Sequence, residues 1–310
     1  MVTDPSSITS SALTPRESIG ALLAGGWRSF SFEFFPPKDE AGEEVLWQSI
    51  RDLESLRPTF VSVTYGAGGG TRDRTIAITR RIARETTMLP MAHLTCVGST
   101  TDELRKVLAD LHEAGVRNVL ALRGDPPGGP HTPWVSTPGG VEHASDLVDL
   151  IRGEGRFSVG VAAFPEGHVD AESLDHDVAV MKAKQDAGAE FAVTDMVLRA
   201  SDYFGLVERS RAAGVTIPIV PGIMPILNLN SMRRMVENSG REMPQATLDR
   251  ILPLGEDAAA VRAEGIAISI ELCDALLEGG APGLHFYTLN RSKATREIFA
   301  ALKINSGVGV

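Results

Sequence analysis

Ser29 to Pro37 reads SFSFEFFPP, four phenylalanines and two serines around one carboxylate, Glu33, ending on two prolines. A short run this apolar is expected to be a strand buried on both faces, as in a parallel sheet. Pro36 and Pro37 have no N–H to give a ladder, so the strand stops there and its last side chains reach a rim. Glu33 is then an acid among aromatic rings, and burial, which disfavours the charged form, is expected to raise its pKa toward the range useful for proton transfer. Taken alone, the same residue could pair with a core arginine or point out of the sheet.

Working outward, strand-like runs recur at 29–35, 60–66, 90–98, 118–125, 158–165, 191–196, 218–225 and 283–290. Amphipathic runs follow them, such as TDELRKVLADLHEAG at 101–115 and SLDHDVAVMKAKQDAG at 173–188. Several end in Ala-Gly or Gly-Gly just before the next strand, where glycine supplies a left-handed stop. Thr101, Ser173 and Ser201 are placed to cap helix starts. Eight such units predict a (β/α)8 barrel, an α/β fold, with two or three extra helices between strands seven and eight at 226–282. An open doubly wound sheet of six to eight strands is the alternative. Residues 1–18, rich in Ser, Thr and Pro, are expected to be a disordered tail, and 19–310 a single catalytic domain.

Composition narrows the function. The chain has 310 residues, 43% of them hydrophobic, with a net charge of -10 and a pI near 5.2. No basic cluster offers a nucleic-acid groove, and no run is long enough to span a membrane. Cys96 and Cys273 are far apart in apolar contexts and read as reduced core residues of a cytoplasmic protein, and the N-terminus does not have the form of a secretory signal.

A barrel concentrates chemistry at the carboxyl ends of its strands. Those ends carry Glu33, Thr64 and Tyr65, His93 and Thr95, Arg123 and Asp125, Phe164 and Glu166, Asp195, and Tyr287, Asn290 and Arg291. So many polar residues closing apolar strands imply a ligand-binding cup. The glycine-rich YGAGGGTRDR after strand two could approach a phosphate or a flat ring, or be only a flexible loop; it fits neither the Walker pattern nor the dinucleotide fingerprint. The long proline-stiffened RGDPPGGPHTPWVSTPGG after strand four is of a length that usually has a function. His93 could be a base or a hydrogen-bonded core residue, and no partner at metal-ligand spacing supports a metal site.

SFEFFPPK, FVSVTYGAGG with TRDRT, AHLTC, NVLALRGDPP, VAAFPEGH, PGIMP and HFYTLNR, in this order, resemble the bacterial 5,10-methylenetetrahydrofolate reductases from about residue 27 to the last helix. The resemblance implies a (β/α)8 barrel that binds FAD, takes hydride from NADH or NADPH and reduces 5,10-methylenetetrahydrofolate in a ping-pong sequence for methionine synthesis. It implies Glu33 as the general acid on the folate N10 and Asp125 as the carboxylate beside the flavin. By the same resemblance Thr64, Tyr65, Ala67, His93, Arg123, Gly124, Asp125, Ala144, Phe164, His168, Ala171, Asp177 and Lys184 contact the cofactor. Glu33, Thr64, Asp125, Asp195 and Arg291 contact the substrate, and a homo-oligomer is expected. Three positions depart from the family pattern: Phe164 replaces a tyrosine, Asp195 replaces a glutamine, and Met235 stands at a helix position where relatives use an aromatic to stack on substrate. An ionised aspartate only accepts hydrogen bonds, so it suits the donor-rich edge of a pterin and meets a nicotinamide carboxamide through its NH2 alone. Direct nicotinamide-to-folate transfer without a flavin, and a non-catalytic flavin- or folate-binding protein, are the alternative functions.

Overall fold

The computed structural model describes residues 13–14, 17–65, 72–126, 128–129 and 132–302. Most of the expected tail, and the glycine-rich segment that includes Ala67, lie outside the described residues. The strands are β1 (Ser29–Phe34), β2 (Phe60–Val63), β3 (Pro90–Thr95), β4 (Asn118–Leu122), β5 (Ser158–Ala163), β6 (Phe191–Met196), β7 (Ile219–Ile223) and β8 (Gly283–Tyr287). They pair in sequence order, all parallel, and β8 returns to β1 to close an eight-stranded barrel. The open-sheet alternative is thereby excluded.

The helices are α1 (Ile19–Ala24), α2 (Glu40–Glu54), α3 (Arg72–Glu85), α4 (Thr101–Glu113), α5 (Ala144–Glu154), α6 (Leu174–Asp186), α7 (Ala200–Ala212), α8 (Leu229–Asn238), α9 (Gln245–Ile251), α10 (Ala258–Glu278) and α11 (Ser292–Ala301). The interval before β8 thus holds three α-helices, α8 to α10, with one 3-10 turn at Leu252–Leu254. Helical spacing explains the outer layer: α2 buries Leu46, Trp47, Ile50 and Leu53, and α4 buries Leu104, Val107, Leu108 and Leu111, each set facing the sheet as one stripe. Gly115, Gly188, Gly214 and Gly280, the expected helix stops, have φ of 88°, 111°, 80° and 92°.

Two caps differ from expectation. α4 starts one residue early, on Thr100, because Glu103 bonds back to the Thr100 N–H at 2.8 Å and completes a capping box. Ser201 lies inside α7, whose N-cap is Arg199.

Most strands end one to three residues before the sequence runs suggest, so Thr64, Arg123, Asp125 and Phe164 lie in the first turns of loops. The floor of the barrel is plugged by α1. Ile19 and Leu23 enter the barrel interior against Phe60, Met91, Leu120, Phe191, Val193 and Val220. Glu17 and Ser18, assigned to the tail, belong to this plug: Ser18 caps α1, and the Glu17 carbonyl accepts from Asn118 Nδ2 at 3.0 Å. No helix among the described residues is long and apolar enough to cross a membrane.

Candidate active site

Strand alternation decides the surroundings of Glu33. Phe32 and Phe34 point outward into the helix-facing core, and Phe30 packs edge-on against Phe299 of α11. Glu33 and Ser31 take the opposite face, inside the barrel. The expectation of a carboxyl among phenylalanine rings is therefore corrected. Glu33, 5% exposed, meets His93 from β3, His285 from β8 and Ser62 from β2.

The geometry around this carboxylate is tight. His93 Nε2 and His285 Nε2 each lie 3.3 Å from Glu33 Oε2, and Ser62 Oγ donates to the same oxygen at 3.2 Å. His285 stacks on Phe60 and holds Ser31 Oγ through Nδ1 at 2.8 Å, which fixes its ring. His93 Nε2 has no well-directed hydrogen-bond partner among the described residues. Burial, the largest influence, raises the Glu33 pKa, but the His93 charge and the hydrogen bonds and charge from the two imidazoles outweigh it and hold the carboxyl down to about 2. The expected upward shift is thus reversed, because the neighbours are ionisable rather than aromatic hydrocarbon. The carboxylate is thus held by side chains from three other strands, β2, β3 and β8.

Beside this cluster, a cavity of about 670 Å³ opens at the carboxyl ends of β3 to β5. It is lined by Tyr65, Arg123, Gly124, Asp125, Ala144, Phe164, His168, Ala171, Asp177 and Lys184, ten of the thirteen residues expected to hold the cofactor. Of the other three, His93 stands on Glu33, Thr64 lies just past β2 with its N–H bonded to Phe34 O at 3.0 Å, and Ala67 is outside the described residues. Thr95, two residues beyond His93 and so on the same strand face, lines the cavity and joins it to the acid cluster.

The cavity is electrostatically unusual. Lys184 is 8% exposed, donates to Ala162 O at 3.0 Å, and its amine falls to about 8, chiefly through burial, with Asp177 raising it and Arg123 adding to the fall. Burial also pushes the Asp177 carboxyl up and the His168 imidazole down. Arg123 pairs with Asp170 at 2.7 Å and lies 5.0 Å from the centre of the Trp134 ring, inside the long proline-rich loop. Gly124 has φ +83°, and a Cβ there would fall 2.6 Å from Val97 and 2.8 Å from Thr95, so only glycine lets the backbone lie against this wall. Thr95 Oγ1 is buried without a partner among the described residues.

The substrate residues separate. Asp195, on β6, is not among the cavity-lining residues, and its Oδ2 accepts from Arg241 at 2.6 Å. Arg291 is exposed as the residue before α11. Sequence reasoning missed His285, Ser31, Ser62 and Arg241. A signal existed for the first two: HFYTLN ends a strand, and SFSFEF alternates serine and glutamate against phenylalanine.

A sequence model of the methylenetetrahydrofolate reductase family matches residues 19–303. The 5,10-methylenetetrahydrofolate reductase of Escherichia coli is 37% identical over 295 residues, covering 94% of this chain and 97% of the relative. Methylenetetrahydrofolate reductase 1 of Schizosaccharomyces pombe is 39% identical over 287 residues, which are 91% of this chain and 47% of that protein. The chain therefore spans nearly all of the bacterial relative and about half of the yeast one. Among solved structures, a Clostridium thermocellum protein described as binding two copies of 5-methyl-5,6,7,8-tetrahydrofolic acid shares the fold at TM-score 0.59 and 12% identity, over 90% of this chain and 95% of that one.

Proposed function

The chain belongs to the methylenetetrahydrofolate reductase family, and from that premise we propose that it reduces 5,10-methylenetetrahydrofolate to 5-methyltetrahydrofolate with NADH or NADPH through bound FAD. The observation supporting this reading is the juxtaposition of Glu33 and its two histidines with a cavity on which two cations, Arg123 and Lys184, converge. Arg123 and Lys184 are suited to a dinucleotide's phosphates. An anion there offsets the burial of the Lys184 amine. Gly124 lets a flat ring lie on the backbone, and the unpartnered Thr95 hydroxyl offers it a hydrogen bond. Bound FAD supplies hydride acceptance from the nicotinamide and hydride donation to the folate.

The chain's own part is proton handling. Glu33, at the end of β1, delivers a proton to the folate N10, which opens the five-membered ring to a hydride-accepting iminium. The two imidazoles each lie 3.3 Å from the Glu33 oxygen that would pass the proton on, placed to hydrogen-bond it through the transfer. Asp125, exposed at the cavity wall, places negative charge beside the developing cation.

Anaerobic half-reactions test the reading. Protein purified without added cofactor should be yellow and bleach with NADH or NADPH, and adding 5,10-methylenetetrahydrofolate should restore the colour. Colourless protein that reduces folate would replace this reading by direct transfer, and yellow protein indifferent to folate would reduce it to a flavin-binding one.

A further inference from the structure

We propose, resting on the function above, that Arg241 is a positioning residue for Asp195, fixing its carboxylate at the barrel mouth as the acceptor for the two adjacent N–H donors of the folate's 2-aminopyrimidinone edge.

The chain is shaped for this. After α8, Gly240 turns at φ +70° and brings Arg241 back toward the end of β6. There the guanidinium donates from Nη2 to Asp195 Oδ2 at 2.6 Å, from Nη1 to Met196 O at 2.8 Å and from Nε to Ser239 Oγ at 2.9 Å. Asp195 Oδ1 accepts from the Met196 N–H at 2.6 Å. One donor anchors each carboxylate oxygen, and a carboxylate has about four acceptor directions, so each keeps a free one. The side chain of Arg241 is 7% exposed and that of Asp195 31%, so the arginine is sealed and the carboxylate is the member open to a ligand. A desolvated ion pair returns about what its burial costs, so stability alone does not account for one placed within electrostatic reach of Glu33.

A carboxylate held this way matches an edge that presents N–H and NH2 side by side. It meets a nicotinamide carboxamide through one NH2 only. The pair therefore favours folate over the nucleotide at a shared mouth. The ionisable groups facing Asp195 are Arg241 from the segment after α8, Glu33 from β1, His168 from the β5 to α6 loop and Tyr287 from β8, with Glu166 acting on Arg241 and itself paired with Arg199 at 3.7 Å. Burial raises the Asp195 carboxyl and Arg241 opposes that rise.

The test measures binding of 5-methyltetrahydrofolate to the flavin-loaded protein between pH 6 and 8, beside the rate of flavin reduction by NADH or NADPH. Arg241→Met should weaken folate binding about tenfold or more, increasingly so as pH falls because the carboxylate has lost the cation that opposes its upward shift, while nicotinamide reduction changes by less than about threefold. Arg241→Lys should restore the wild-type pH profile without the full affinity, and Asp195→Asn should weaken binding with no pH trend of its own. Should Arg241→Met not fold, Arg241→Lys and Asp195→Asn decide the matter. Variants that bind folate like wild type, with an unchanged pH profile, overturn the proposal and leave the pair as a tie between α8 and β6. Wild-type protein that binds no 5-methyltetrahydrofolate overturns the substrate assignment itself.

Discussion

The two ends of the barrel each set a glutamate among serines and basic side chains, half-buried at the floor and buried at the mouth, and they treat it in opposite ways. At the floor, Glu190 is fully engaged: Oε1 pairs with Arg152 at 2.6 Å, and Oε2 accepts from Ser158 Oγ at 2.7 Å and Ser18 Oγ at 3.4 Å. The plug adds Ile19 N to Asn118 Oδ1 at 2.9 Å and Gly20 N to Ser158 Oγ at 3.1 Å. At the mouth, Glu33 faces two imidazoles at 3.3 Å, Thr95 Oγ1 is unpartnered among the described residues, and Lys184 is buried with its amine depressed. Satisfied polar groups lock one end, and unbalanced ones leave the other ready to exchange protons and bind anions.

Paired substitutions can break that contrast. Glu33→Gln should cut folate reduction by about 10²–10⁴-fold and leave flavin reduction by the nicotinamide near normal, whereas Glu190→Gln should leave both half-reactions and lower Tm by a few degrees. Single-turnover rates and thermal melts read the difference, and equal loss in the two variants' folate rates would erase the distinction between the ends.

Gly20→Ala tests how tightly the floor is closed. Its Cβ would fall 2.2 Å from Glu190 Oε2, so the plug must shift, with an expected loss of about 2 kcal/mol in denaturant unfolding and no change in kcat below the transition.

Lys184→Met sharpens the other side. Folding depresses the Lys184 pKa from 10.5 to about 8, so between those values the unfolded chain holds more proton than the folded one, and apoprotein stability should rise with pH across that window. The variant should remove that rise, stabilise apoprotein at pH 7 by about 1–2 kcal/mol and lose flavin during purification. A variant that melts lower, or keeps its yellow colour, would show that the amine is not strained toward an anion.

Much of the scaffold was legible in the chain. Eight strand runs, their glycine stops and the long interval before β8 follow from local patterns, and local patterns are what a single sequence records. The polar residues closing the strands were legible for the same reason, and four of them, Tyr65, Thr95, Arg123 and Asp125, line one cavity. The partners of Glu33 were not. Its two histidines lie on β3 and β8, and only barrel closure, with Ser31 in register with His285, puts that residue from the far end of the sequence 3.3 Å from the carboxylate.

By itself, then, the sequence determined that strands and helices alternate eight times and that an acid ends the first strand, because period and punctuation are properties of neighbouring residues. Tertiary structure alone decided which face of β1 looks inward, and so whether Glu33 sits among rings or among bases. It also decided that Asp195 is held by an arginine 46 residues away. Those choices are made by contacts between distant segments, and contacts set the charge of a buried group.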